Sequence, residues 1–268
     1  MSTLEAPPAE AALAAQALEQ EQLGHWERAA ALYAAAFRGS LLAGDLEAAA
    51  DALRGQARVR IQEERFEEAE ELASLSHQIA ERNGITQSAA RALNVMGIIR
   101  YRQRDWEGAR TLYARALELA MDIGDDDLAG LACQNAGIIA YLVGDLREAR
   151  ALYLESIGWF VRSGNSGNAQ MAYNNLGVAT ASLREWLEAE VYFSRGIEIA
   201  ERLSHSPILA KLYGNRAEPL IHIGELEEAL STLEKAERTA TAVGDRLALA
   251  DVARWRGVIA RLAGDPEV

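Results

Sequence analysis

The chain has 268 residues, half of them apolar, and carries 27 Lys and Arg against 40 Asp and Glu, a formal charge of −13 at pH 7. This length and apolar content suffice for one or two packed domains. So acidic a chain argues against general attraction to DNA, RNA or anionic lipid. We therefore expect neither nucleic acid nor membrane among its partners.

The residue types that bind metals or form disulfides are sparse. The single cysteine, Cys133, cannot form an internal disulfide, and four scattered histidines offer no metal-ligand cluster. The N-terminus has no Lys or Arg before its apolar stretch, and the chain has no run of about 18 apolar residues. We expect a cytoplasmic protein without a metal or cofactor.

The composition favours helix throughout, since Ala, Leu and Glu abound and β-branched residues are few. From residue 10 onward an alanine recurs every forty residues, with Trp, Phe or Leu three residues before it. An aromatic residue, Ala or Leu follows four residues after it, and a small residue three further on, which is the period of a helix. The alanines are Ala29, Ala69, Ala109, Ala149, Ala189 and Ala229.

Another small residue stands twelve positions before each alanine and marks a preceding helix that approaches its neighbour closely. These residues are Ala17, Ala57, Gly97, Gly137, Gly177 and Ala217. Turn signals such as Gly144-Asp145 and Gly224-Glu225 separate the two helices. Here the Gly can take a left-handed cap and the acid can cap the next helix. Asp145 and Glu148 have the spacing of a capping box.

In chain order, this spacing predicts a flexible tail over residues 1–9 and then a single array over 10–268. The array comprises helix pairs at about 10–44, 45–84, 85–124, 125–164, 165–204 and 205–244, followed by a capping helix at about 246–263. Pro219, inside the first helix of the sixth pair, predicts a local bend over Asn215–Pro219. The ending Gly264-Asp265-Pro266-Glu267-Val268 also resembles the start of another turn. The chain is therefore either complete or part of a longer protein.

The sequence N-N-L-G at 174–177, followed by E-W-L-E-A at 185–189, resembles the tetratricopeptide repeat family. The resemblance covers about residues 10–264, and the forty-residue unit is similar to those of kinesin light chains and bacterial regulators. It implies an all-α fold, a right-handed superhelical α-solenoid of six helix-turn-helix repeats plus the capping helix. It also implies that the first helix of each pair lines a concave groove.

Two sets of first-helix residues are candidates for contacting a ligand. In the second and third repeats, Asp51–Arg54 has the spacing of an ordinary surface pair, which leaves Arg58, Arg91 and Arg102 as the excess cations, candidates for contacting acidic groups. In similar repeats, an asparagine ladder grips the backbone of an extended peptide, and here Asn135, Asn175 and Asn215 share one column. Alternatively, these asparagines bond neighbouring helices and fix the repeat angle. Four further candidates lie near the same face, namely Asn94, Asn174, Tyr101 and Tyr141.

Some members of the family clamp the terminal carboxylate of chaperone tails with Lys and Asn on one first helix and Asn and basic residues on the next. Here Arg54 and Arg58 stand at the matching places, but Val95 replaces the second Asn. That clamp is incomplete, which argues against a chaperone-tail reader.

The sequence contains no convincing catalytic motif, so we expect no enzyme. The leading hypothesis is a scaffold that binds a peptide segment of a partner protein, with acidic groups on that segment. Two alternatives stay open, namely a sensory or regulatory module of a larger signalling or transcription protein, and a structural scaffold that forms homo-oligomers. Abundant Ala, with Arg far in excess of Lys, suggests a GC-rich bacterial genome.

Overall fold

The residues that recur every forty positions form antiparallel helix pairs in a computed structural model, which describes residues 9–204 and 206–264. Thirteen helices and no strand occur in these ranges, so the predicted all-α fold is confirmed. The helices are α1 Ala9–Gln22, α2 Trp26–Ala43, α3 Leu46–Gln62, α4 Phe66–Arg82, α5 Thr86–Arg102, α6 Trp106–Ile123, α7 Asp126–Leu142, α8 Leu146–Ser163, α9 Ser166–Ser182, α10 Trp186–Arg202, α11 Ser206–His222, α12 Leu226–Val243 and α13 Arg246–Ala263. Odd-numbered helices are the first helices of the pairs, and even-numbered helices α2 to α12 are the second.

A residue with positive φ stands at every twentieth position from residue 24 to residue 264. Each helix of the described chain ends one or two positions before such a residue. Glycine occupies nine of these positions, with φ between 69° and 88°. Glu64, Arg104, Arg184 and Ser204 occupy the other four, with φ between 52° and 64°. Only glycine adopts this left-handed conformation without a steric cost. The helix ends are therefore set by the turn geometry more strictly than by the residue type.

Aspartate caps several of the helices, as the turn signals predicted. The Asp145 carboxylate accepts a hydrogen bond of 3.0 Å from the backbone N–H of Glu148. The carboxylates of Asp45 and Asp105 accept the equivalent bond from the backbone N–H three residues later. Glu225 makes no side-chain cap. Its carboxylate is one methylene further from the backbone, which matches the preference for the shorter Asp at this position.

The six recurring alanines are fully buried. Small residues twelve positions earlier let the paired helices approach closely, as predicted. A Cβ added to Gly137 would lie 2.7 Å from the Tyr153 ring, and one added to Gly177 would lie 2.6 Å from the Phe193 ring. The repeated spacing therefore places a ring of the second helix directly against the small residue of the first helix.

The Cα packing divides the chain into two compact units, Met1–Ala132 and Cys133–Val268, with the boundary inside α7. Within the first unit, α1 contacts α3 and α3 contacts α5. Among the described elements, α2 and α4 contact only first helices. Within the second unit, α9 contacts α11 and α11 contacts α13. First helices therefore form a continuous inner layer of each unit.

In the second unit, α13 packs against α11 and α12 and buries Val252, Trp255 and Ile259. The helix α11 continues through Pro219, which is buried, and the bend expected there stays a prediction. No helix in the described ranges is long and apolar enough to span a membrane.

Several expectations concern residues outside the described ranges. Of the predicted tail over residues 1–9, only Ala9 is described, as the first residue of α1. The ending after Gly264 also lies outside the described residues. The division into one array of six repeats stays a prediction.

Candidate functional site

The ten candidate residues all lie on first helices. Arg58 is on α3, and four candidates are on α5, namely Arg91, Asn94, Tyr101 and Arg102. Asn135 and Tyr141 are on α7, Asn174 and Asn175 are on α9, and Asn215 is on α11. Because the first helices contact one another within each unit, these side chains can interact between repeats.

In the first unit, Arg58 is the centre of a hydrogen-bonded network between helices. Its Nε and Nη2 donate to the Glu21 carboxylate over 2.9 and 2.8 Å, and Nη2 also donates to the Tyr33 hydroxyl over 2.9 Å. Burial by itself raises the pKa of Glu21, but hydrogen bonds from Arg58 and Tyr33 outweigh it and hold that pKa below its ordinary value. Burial and the neighbouring Glu21 raise the pKa of Tyr33 to about 12.

Arg91 is bound to the residue that caps the next first helix. Its Nη2 lies 3.3 Å from the Asp125 carboxylate, which also accepts hydrogen bonds from Gln87 and from the backbone N–H of Leu128. Burial opposes ionisation of Asp125, but these hydrogen bonds and the charge of Arg91 lower its pKa overall. The Arg91 side chain remains 36% exposed.

Arg102 lies at the end of α5, where its Nη2 is 3.8 Å from the Glu64 carboxylate and its guanidinium lies 5.8 Å from the centre of the Phe66 ring. Beside it, the Tyr101 ring packs against Trp106 with 5.7 Å between ring centroids. The three arginines predicted to contact acidic groups of a ligand thus already have acidic neighbours within the chain, and their role in binding stays a prediction. Each has an acidic partner that comes from a different helix or turn, distant in sequence.

A cleft of about 300 Å³ opens between α3, α5 and the start of α7 in the first unit. We call it the arginine cleft, because Arg54, Arg58 and Arg91 line it together with Asn94. Arg54 was expected to form only a surface pair with Asp51, and that pair is present at 3.0 Å. Its side chain is nevertheless only 16% exposed, and its buried Nε has no hydrogen-bond partner.

In the second unit, amide side chains bond one another between first helices. Asn215 Nδ2 donates to Asn174 Oδ1 over 2.9 Å, which joins α11 to α9. Asn174 Nδ2 in turn lies 3.5 Å from Asn175 Oδ1. We call Asn174, Asn175 and Asn215 the amide cluster. The Asn215–Asn174 bond is of the kind expected if asparagines fix the packing of neighbouring repeats, whereas Asn174 and Asn175 are adjacent on one helix.

The remaining candidates in the second unit are partly exposed. The Tyr141 hydroxyl lies 3.2 Å from the Ser182 hydroxyl at the end of α9. Asn135 is half-buried on α7. The structure thus brings together Asn174, Asn175 and Asn215, and separately Arg58, Arg91 and Asn94, while Arg102 does not line the arginine cleft.

Sequence reasoning placed Arg54 at a clamp position but left it out of the candidate site, and it missed Glu21 and Asp125 as the partners of the arginines. A signal for Arg54 was available, because it occupies the same first-helix column as Asn94, forty residues away. No signal of this kind existed for Glu21, which lies 37 residues from Arg58 at the end of another helix.

Cys133 is buried, and burial is the main cause that raises the pKa of its thiol to about 12. Its thiolate is therefore scarce at neutral pH, and the residue packs as a small apolar side chain. Within the described residues, no group of three or more His, Cys, Asp and Glu side chains could hold a metal ion.

The described fold is shared with several solved structures. A STAND signal-transduction ATPase with a tetratricopeptide repeat sensor, from Pyrococcus horikoshii, aligns over 96% of this chain with a TM-score of 0.79 and 19% identity. This chain covers only 39% of that protein. The BtubC (BKLC) protein from P. vanneervenii aligns over 88% of this chain and 93% of its own, with a TM-score of 0.69 and 18% identity.

A Rap protein complexed with Competence and Sporulation Factor aligns over 93% of this chain and 75% of its own, with a TM-score of 0.68 and 17% identity. No curated protein sequence matches this chain significantly. The family model described as "Tetratricopeptide repeat" matches residues 88–158 and 168–242, more than half of the chain. The chain therefore belongs to the tetratricopeptide repeat family.

Proposed function

We propose that this protein is a non-enzymatic, cytoplasmic scaffold whose first-helix faces bind a peptide segment of a partner protein. The single observation that carries the proposal is the polar inner layer, in which arginine and amide side chains line first helices that otherwise pack through alanine and leucine. Amides offer both a donor and an acceptor to a peptide backbone. The Rap protein solved with Competence and Sporulation Factor supports the proposal by analogy of fold.

A peptide that binds the amide cluster must compete with hydrogen bonds that the cluster already makes. Asn215 and Asn174 already bond each other, so a peptide must share or replace that bond. Similarly, an acidic group on the peptide must bind the remaining N–H groups of guanidiniums that already hold Glu21 or Asp125. Preformed partners hold these side chains in place and lower the entropy lost on binding. We expect dissociation constants of about 1 μM that weaken with salt.

The test is affinity capture from the native host's lysate with the wild-type chain and with the triple variant Asn135→Ala, Asn175→Ala and Asn215→Ala. A protein captured by the wild type and lost in the triple variant supports groove recognition. A matched control carries Asn83→Ala and Asn168→Ala, two asparagines outside the predicted column, and should capture the same protein. Helicity and melting temperature are compared first, because the amide cluster also joins α9 to α11.

Equal capture by wild type and triple variant contradicts a role for the asparagine column. The captured protein is then tested as a set of overlapping synthetic peptides by isothermal titration calorimetry. If no single peptide binds and only the folded partner does, the peptide-segment part of the proposal is wrong.

A sensory or regulatory module is the second candidate function, and the fold shared with the repeat sensor of the STAND protein favours it. In this role, ligand binding changes the pitch of the repeats. Small-angle scattering with and without the captured partner segment tests it, since an unchanged radius of gyration on saturation contradicts a pitch change. A mass that rises with concentration in light scattering instead supports self-assembly.

A further inference from the structure

A second cleft lies in the second unit, between two second helices. Helices α10 and α12 each pack against α11, and among the described elements they do not contact each other. The space left there is an open cleft of about 600 Å³, to which α11 contributes Leu209 and Tyr213 and α12 contributes Lys235, Arg238 and Thr239. We call it the α12 cleft. Its volume lies within the range of ligand pockets.

The charge that α12 presents to this cleft departs from the pattern of the repeats. Lys235 and Arg238 are exposed and stand three residues apart. The equivalent positions of earlier second helices form ion pairs, Arg195–Glu198 at 3.1 Å and Arg115–Glu118 at 2.7 Å. In α12 a cation thus replaces the acid, and neither Lys235 nor Arg238 makes an ion pair within the described ranges. Two like charges one helical turn apart repel each other.

Two further residues of the α12 cleft depart from the repeat pattern. Thr239 occupies the position of Leu119, Trp159 and Ile199 in earlier repeats, and its smaller side chain leaves more space. The equivalent cleft beside Leu119, in the first unit, has only about 270 Å³. Ser204 occupies the position where glycine follows the five other second helices. Its hydroxyl is exposed and makes no hydrogen bond among the described residues.

Tyr213 fixes the aromatic part of the lining. Its ring is buried, its hydroxyl donates to the Glu201 carboxylate, and the Lys235 ammonium lies 5.7 Å from the ring centre. Burial is the main cause that raises the pKa of Tyr213, and Glu201 adds to it, whereas the charge of Arg238 opposes both. Arg238 therefore lies near the same ring. Glu201 is the one acid of the described lining, and the Tyr213 hydroxyl already occupies it.

From this convergence we infer that the α12 cleft binds a phosphate monoester, with the phosphate held by Lys235 and Arg238. Such a group carries nearly two negative charges at pH 7 and three acceptor oxygens. These oxygens match an ammonium, a guanidinium and the free Ser204 hydroxyl. The cleft is much larger than a phosphate, and Leu209 with the Tyr213 ring offers apolar surface to the organic part.

The same chemistry occurs in a small-molecule phosphate and in a phosphorylated side chain of another protein. None of the ten first-helix candidates is among the described residues that line the α12 cleft. The inference therefore does not depend on the proposed function.

The test uses the two lysines of the chain, Lys211 and Lys235. Full-length protein labelled with ¹³C-lysine is titrated with phenyl phosphate, and the lysine Cε–Hε signals are followed by NMR. The Lys235 signal should shift with a dissociation constant of about 1 mM. Lys211 lies outside the described lining and should not shift.

Two further probes separate the parts of the ligand. Phenyl sulfate carries a single charge and inorganic phosphate lacks the organic part, so each should bind about tenfold more weakly. Equal binding of phenyl sulfate and phenyl phosphate, equal binding of inorganic phosphate, or no saturable shift of Lys235 overturns the inference.

The decisive variant is Arg238→Glu, which restores the acid found at this position in the pairs Arg195–Glu198 and Arg115–Glu118. It should leave the melting temperature equal or higher, yet weaken phenyl phosphate binding more than tenfold. Arg261→Glu makes the same charge change on α13, outside the described lining, and should bind as wild type does. Unchanged binding in Arg238→Glu contradicts the inference.

Thr239→Leu tests the space separately from the charge, because it restores the larger side chain found at Leu119 and leaves both cations in place. It should weaken phenyl phosphate binding about tenfold. Binding equal to that of wild type would show that phenyl phosphate associates with the charged surface and not with the cleft, which overturns the inference.

The two sources of the phosphate are distinguished with acetyl-Gly-phosphotyrosine-Gly-amide. Tighter binding of this peptide than of phenyl phosphate identifies a phosphorylated side chain as the preferred source, and the reverse order identifies a small-molecule phosphate. The triple asparagine variant should bind phenyl phosphate as wild type does, because its substitutions lie outside the described lining of the cleft. Failure of either proposal is therefore visible without the other.

Discussion

At the scale of single residues, backbone conformation matters more than side-chain identity at the helix ends. Four non-glycine residues adopt the left-handed conformation that glycine adopts at nine equivalent positions. A residue with a Cβ pays about 1–2 kcal/mol for that conformation. The chain therefore stores a small strain at Glu64, Arg104, Arg184 and Ser204, which single substitutions can relieve.

We predict that Arg184→Gly stabilises the protein by about 0.5–1 kcal/mol, because the relieved strain exceeds the added entropy of the unfolded chain. Arg184 is exposed, with φ of 62°. Chemical denaturation measures the free energy of unfolding. As a control, Gly144→Ala, at φ of 87°, should lower it by about 1 kcal/mol. A loss of stability in Arg184→Gly would show that its side chain outweighs the strain.

At the scale of helices, the fold depends on close contacts between a small residue and a ring. Gly177 on α9 faces the Phe193 ring on α10, and Gly137 on α7 faces the Tyr153 ring on α8. Gly158, in contrast, lies in the interior of α8 with open space around its Cα. These glycines occupy similar helical backbones and differ in what a methyl group would meet.

Gly177→Ala should therefore destabilise the protein by about 2 kcal/mol, since the new Cβ forces the Phe193 ring or the helix to move. Gly158→Ala should instead stabilise it by about 0.5–1 kcal/mol, the usual gain from replacing glycine in a helix. Thermal unfolding followed by circular dichroism compares the two variants. Equal shifts in melting temperature would contradict the role assigned to the ring contact.

Helices α1, α2 and α3 are joined by the network of Glu21, Tyr33 and Arg58. The pKa of Glu21 is lower in the folded protein than in the unfolded chain. Its contribution to stability is therefore present above the unfolded pKa of about 4.3 and is lost as pH falls through the folded pKa.

We expect Glu21→Gln to lower the free energy of unfolding by about 2 kcal/mol at pH 7. Between about pH 5 and pH 3, the difference from wild type should shrink as Glu21 itself becomes protonated. Denaturation at several pH values measures this difference. Glu118→Gln, which removes an exposed pair with Arg115, is the control and should have little effect at any pH. A difference that stays constant with pH would contradict the ionic role of Glu21.

At the scale of the whole molecule, each pair of helices presents an apolar face that the next helix must cover. In the second unit α13 covers that face on α11 and α12 with Val252, Trp255 and Ile259, while Leu247 and Leu262 on the same helix are exposed. The two sides of α13 therefore differ in their importance for the array.

Removal of residues 246–268 should expose this apolar face and cause concentration-dependent association, measured by light scattering and by binding of a hydrophobic dye. A double variant of the full chain, Leu247→Glu and Leu262→Glu, changes only the exposed side and should stay as monodisperse as wild type. A truncated chain that neither associates nor binds dye would contradict the covering role of α13.

The forty-residue period determined the positions of the helices, the buried alanines and the close approach at Gly137 and Gly177, because each follows from local periodicity and residue size. The same period placed Arg58, Arg91 and the asparagines on first helices. It could not reveal what those side chains touch.

Only the tertiary structure decided that Arg58 holds Glu21, that Arg91 holds Asp125 and that Asn215 bonds Asn174. These partners are 37, 34 and 41 residues apart. A pattern along one helix specifies a face, whereas a hydrogen bond between helices depends on their separation and rotation to within a fraction of an ångström. Stacking of the repeats sets that geometry, and so it was the packing of the helices that paired the charges and formed the arginine cleft.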